Sequence, residues 1–291
     1  MGIRRFLQTR GYTPAVSRIV VVARGALVLA AIGLSACGRG QSVQEKATGA
    51  RLVYRDAAGR ELTTDDIRGV SGKVRWEVIG AGSIPEEASC LHSEARQAGG
   101  RGDLAQALNL LAEAHRLAPD WAYPVYDTAF TYLLQGDAAR AEAFYAEVDR
   151  MEPRGFFTAK TSLDCLRRER AGGLFPGFCK AFASLEGMDE KARKGLLESI
   201  VEKYPAFPPA WKELSTLRED DEARLQAIAR GLEHDPDPET KGVLLINRAF
   251  ILHRRGDREG AIQILGELAL DPRSTLSSEL LAKAALAEVV G

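Results

Sequence analysis

From Ala88 onward the chain alternates apolar and polar positions with a helical period, and short breaks mark where one helix ends and the next begins. Leu91, Ala95, Ala107, Leu111 and Ala114 lie on apolar faces before Pro119, and Val125, Ala129, Tyr132, Ala141, Tyr145 and Val148 do so before Pro153. Gly102-Asp103 and Gly136-Asp137 stand 34 residues apart, as do Pro119 and Pro153. The pattern predicts helix pairs: Gly-Asp turns the chain between two helices, and proline stops the second. Alanine at 95, 107, 129 and 141 leaves room where two helices of a pair cross closely.

Before this part the pattern has a period of two. Leu52 to Arg55 and Arg60 to Thr63 flank Asp56-Ala-Ala-Gly59, which predicts a hairpin, and Lys73 to Ile79 alternates as a third strand. A sheet this small needs support, and the first helices are the expected surface. Gly80 to Pro85 reads as the linker.

The 34-residue period and the residues just quoted resemble the tetratricopeptide family. The resemblance implies a mainly all-α fold, an α-solenoid of antiparallel helix pairs, preceded by the small β-hairpin or three-strand element. Its units fall at about 88–119, 122–153, 156–205 with an insertion, 208–236 and 242–272, followed by a capping helix at 274–290 within a repeat domain of 86–290. Trp211, Leu214, Ile228 and Pro236 mark the fourth unit; Leu245, Ala249, Leu252, Gly256-Asp257, Ala261, Leu265 and Leu268 mark the fifth. An unrelated helical bundle is the alternative.

The N-terminus changes the picture. Arg4, Arg5, Arg10, Arg18 and Arg24 precede an apolar run from Ala26 to Leu34, the order of an export signal, and about nine uninterrupted residues fall short of the roughly 20 that span a bilayer. The run ends in Leu34-Ser35-Ala36-Cys37, which resembles the lipobox of bacterial lipoproteins. That resemblance implies removal of residues 1–36, acylation of Cys37, and a flexible tether over 37–50 leading to a β element at 51–80. Several acyl chains on one residue anchor stably. By the sorting rule that the same resemblance implies, Gly38 in place of Asp favours the outer membrane, with the body facing the periplasm.

Charge narrows the partners. Setting those five arginines aside leaves 34 basic residues against 40 acidic, so the body from Cys37 onward is near −6 and lacks the basic footprint of nucleic-acid binding. His92, His115, His234 and His253 show no metal-ligand spacing, and Cys90, Cys165 and Cys179 form no CxxC pair. Gly69 to Lys73 lacks the first glycine of a phosphate loop and has Val74 where Ser or Thr belongs. No catalytic constellation, metal site or cofactor motif is visible, so the reading is non-enzymatic. In an oxidising compartment Cys165 and Cys179 are spaced to bridge across the inserted segment, leaving Cys90 free and buried; alternatively all three stay reduced in the core.

In the tetratricopeptide register the first helix of each pair lines a concave groove that takes a peptide or a partner helix. The resemblance places His92, Arg96, Tyr123, Tyr126, Phe130, Lys212, Ile246, Phe250 and His253 there, the rings either meeting a partner or packing between units. The expected function is that of a membrane-anchored envelope scaffold recruiting another protein. The alternative is a glycan- or peptidoglycan-binding lipoprotein that stacks sugars on Tyr123, Tyr126 and Trp211.

Overall fold

A computed structural model describes residues 19–21, 51–55, 61–62, 72–79 and 84–290. The Cys37 lipobox, the tether and the Asp56–Gly59 turn lie outside the described residues.

The body is mostly helical. Its elements are α1 (Glu86–Gly100), α2 (Leu104–Leu117), α3 (Ala122–Gln135), α4 (Ala138–Met151), α5 (Ala159–Arg170) and α6 (Phe178–Ser184), followed by a 3₁₀ turn at Leu185–Gly187. Then come α7 (Glu190–Lys203), α8 (Pro208–Leu217), α9 (Asp221–Glu233), α10 (Pro238–Arg254), α11 (Arg258–Leu270) and α12 (Leu276–Val290). Helices pack as consecutive pairs, α1 on α2, α3 on α4, α8 on α9 and α10 on α11.

The turns show why these residues pair. Gly102, Gly136 and Gly256 take φ of 82°, 83° and 91°, a left-handed conformation that glycine adopts without a Cβ clash. The aspartate after each caps the next helix: Asp103 accepts from the N–H of Gln106 at 3.1 Å, Asp137 from Arg140 at 2.9 Å and Asp257 from Gly260 at 2.9 Å. The crossing alanines, Ala95 with Ala107, Ala129 with Ala141 and Ala249 with Ala261, are all buried.

The third unit departs from a simple pair. Its insertion folds as α6 and packs against α5 and α3, while α7 packs on α8. The Cys165–Cys179 disulfide, with Cα atoms 5.9 Å apart, fastens α6 to α5, and Glu169 accepts from the N–H groups of Gly177 and Cys179 at 2.6 and 2.9 Å. Cys90 is half-buried and is not free, which corrects the expectation of a buried free thiol.

Beyond α9 the chain curls back on its own middle. α10 touches α5 and α8, and the N–H of Leu276 donates to the carbonyl of Arg154 at 2.8 Å. The Arg154 guanidinium reaches the Ser274 carbonyl and the Glu279 carboxylate.

The β element has strands β1 (Ile19–Val21), β2 (Arg51–Arg55), β3 (Glu61–Leu62) and β4 (Gly72–Ile79), ordered β1-β4-β2-β3. β2 pairs antiparallel with both β3 and β4, whereas β1 pairs parallel with β4, Ile19 opposite Gly72. Three strands were expected; β1, from the segment assigned to the leader, is the fourth. The sheet lies against α10 and α12, not against the first helices. The chain's return to its own middle brings other apolar surface within reach, and sequence proximity does not decide the contact. No helix among the described residues is long and apolar enough to cross a membrane.

Candidate ligand-binding recess

The first helices of three successive units, α3, α5 and α8, face one another across a recess of about 110 Å³. Phe130 and Leu133 enter it from α3, Thr161, Ser162 and Cys165 from α5, and Lys212 and Glu213 from α8. The insertion closes one side with Cys179, Phe182 and Leu185, and α7 adds Arg193 and Leu197. The wall is mainly apolar with a few converging polar groups, the usual make-up of a small-molecule site.

Two cations in that wall are buried. Lys212 is 5% exposed, and its ammonium lies 3.1 Å from Glu213. Burial pulls its pKa down, but Glu213, with Asp237 and Glu239 behind it, outweighs burial and leaves it raised. Arg193 is 6% exposed, and its Nε is sealed from solvent with no hydrogen-bond acceptor.

The residues expected in the groove divide into three groups. His92, Arg96, Tyr123 and Tyr126 gather around Asp127. His92 Nε2 lies 2.8 Å from Asp127 Oδ2, Arg96 Nε lies 3.7 Å from the same oxygen, and the His92 ring meets Trp121 edge-on at 4.8 Å. Tyr123 packs against Phe156 and Phe157 at 4.9 and 5.1 Å. Tyr126 is buried between those rings and Tyr145, and its hydroxyl shares a 2.7 Å hydrogen bond with Thr158. Burial, reinforced by Tyr145, holds that phenol well above its ordinary pKa. Phe157 reaches this position with φ of 50°, just after Gly155 at 90°, so two adjacent phenylalanines turn onto one helix.

Phe130 and Lys212 form the second group, in the recess wall. Phe250 and His253 form the third, on α10, which contributes no residue to the recess. Phe250 and Ile246 belong with the C-terminal core of Ala249, Leu265 and Leu281.

An acid pair behind the recess, Glu239 buried and Asp237 half-buried, was not foreseen from the sequence. Asp237 caps α10 through the N–H groups of Glu239 and Thr240 at 3.0 and 3.1 Å and also accepts from the Thr161 hydroxyl at 2.9 Å. Glu239 accepts from the N–H of Thr161 at 3.0 Å, so it caps α5 from a distant helix. Burial pushes Glu239 up to about 8, helped by Asp237 and opposed by the backbone N–H groups of Thr161 and Lys160. The Asp-Pro-Glu-Thr run signals a local cap in the sequence; nothing local signals the second helix that shares it. Arg193 was missed because a polar helix gives no sign of which cation faces inward.

No group of His, Cys, Asp and Glu able to hold a metal occurs among the described residues. No family model matches the sequence, and no curated protein does. Among solved structures, MamA from residue 41 to its end, from Desulfovibrio magneticus RS-1, is 19% identical, covering 64% of this chain and 94% of that one at a TM-score of 0.32. A MamA RS-1 ArsTM double mutant is 17% identical, covering 70% and 98%, also at 0.32. Superposition that loose carries no argument, so the helix-pair fold rests on the packing and turns described above.

Proposed function

We propose that this protein is an envelope lipoprotein, anchored through acylated Cys37, whose helical-repeat body holds another protein near the membrane. The observation that carries the binding half is the convergence of α3, α5 and α8 on one recess, with the half-buried Phe130 and Glu213 in its wall. Aromatic side chains beside a small number of charges suit a protein segment as a partner. The anchoring half rests on the Leu34 to Cys37 motif and the basic stretch before it.

Two experiments test it. A photoreactive phenylalanine analogue at position 130, with position 150 on α4 as control, is expected to give one discrete protein adduct in cells from 130 alone. Equal adduct patterns from both positions would sink the recess as the docking face. Labelling with an alkyne fatty acid is expected to mark the wild type and not Cys37→Ser; label retained in the variant would remove the anchor. Saturable binding to purified sacculi without a protein adduct would instead favour the glycan reading. In that case Tyr123 and Trp211 would carry the stacking, because Tyr126 is buried.

A further inference from the structure

We infer that the recess is a binding site for a small monocarboxylate with a short apolar body, held by Arg193. A guanidinium stays charged at every physiological pH, so Arg193 cannot shed its charge to suit an apolar wall. Its buried Nε has no acceptor within the protein, an arrangement that a ligand oxygen would satisfy. A carboxylate fits best, because its two oxygens match the fork of the guanidinium.

The other charges in the wall select against larger anions. Lys212 is already committed to Glu213 at 3.1 Å, so it offers no second free cation. Glu186 and Glu213 add negative charge to the wall, which disfavours a phosphate dianion more than a single carboxylate. Size limits the apolar part. An apolar cavity of about 150 Å³ takes up benzene, so a recess of about 110 Å³ suits a branched chain of a few carbons. Phe130, Phe182, Leu185, Leu197 and Phe207 would surround it.

That chemistry occurs in free branched-chain acids and in the last residue of a polypeptide ending in leucine. The inference does not depend on the anchor or on a protein docking at the rim.

The test is calorimetric titration of the full chain with 4-methylpentanoate, its neutral amide 4-methylpentanamide, and the peptide acetyl-Ala-Ala-Leu with a free carboxylate. The acid is expected to bind saturably, the amide at least roughly tenfold more weakly, and Arg193→Met to weaken the acid by at least the same factor. Peptide affinity more than about tenfold above that of the free acid would identify a chain terminus as the source; lower affinity would identify a free acid. Acid and amide binding alike, unchanged acid affinity in a folded R193M, or no saturable binding of either carboxylate would overturn the inference. Should R193M fail to fold, Ala183→Leu fills the recess without removing the guanidinium, and acid binding that survives it would overturn the inference equally.

Discussion

The N–H of Thr161 donates to the Glu239 carboxylate at 3.0 Å across 78 residues of sequence, joining the start of α5 to the start of α10. Glu239 is buried there and keeps its proton up to about pH 8, whereas the unfolded chain releases it near the ordinary value of 4.5. Between those two values the folded state binds more protons. The contribution of Glu239 to stability is therefore fully present below about 4.5 and is lost as pH rises towards 8, by at most about 1.4 kcal/mol per unit. Glu239→Gln is expected to flatten that slope in urea unfolding measured from pH 5 to pH 8. An unchanged slope in the variant would assign the effect to another group.

The Cys165–Cys179 bridge closes a short loop, with the cysteines 14 positions apart. A loop of about 15 residues corresponds to roughly 3 kcal/mol of stabilisation. The Cys165→Ser, Cys179→Ser double variant should lower the urea midpoint, with amide exchange rising first in α6. Exchange rising evenly over the body would mean that the bridge does not act on α6 in particular.

At Gly242 the helix α10 comes close to α12. A Cβ there would meet Ser278 Oγ at 1.9 Å and its Cβ at 2.8 Å. Gly242→Ala should cost about 1–3 kcal/mol, with much of the loss restored when Ser278 becomes glycine. Additive losses in the double variant would show that the two helices do not meet at this point.

His92 and Asp127 join α1 to α3 in a buried contact of 2.8 Å. A double-mutant cycle with His92→Ala and Asp127→Ala at neutral pH should give a coupling of about 1–2 kcal/mol. Coupling near zero would leave the contact without energetic weight.

The parts of this fold that were legible in the sequence are those fixed by neighbours along the chain. Gly136 must take positive φ, Asp137 must cap the helix after it, and Ala129 and Ala141 must be small, so spacing alone locates that pair. Phe130 and Lys212 could be placed on first helices for the same reason, and both do line the recess. Neither the burial of Tyr126 under Phe156 and Phe157 nor the docking of the sheet on α10 and α12 has a local signal. Both depend on how far the stack curls, a sum of small rotations that periodicity does not encode. Glu239 and Arg193 escaped notice for a related reason: each is a charged residue on a helix, made special only by another helix arriving over it.

The hold of Leu276 and Glu279 on Arg154 bears on how the molecule comes apart. An open array of repeats behaves as a one-dimensional chain of nearest-neighbour couplings, free to fray from either end. Here the last helix is tied to the middle of the stack, so the terminal repeats cannot peel away one at a time without first releasing that tie. The stretch from Arg154 to the C-terminus is built to melt as one cooperative block, and any fraying by single repeats is confined to the N-terminal pairs.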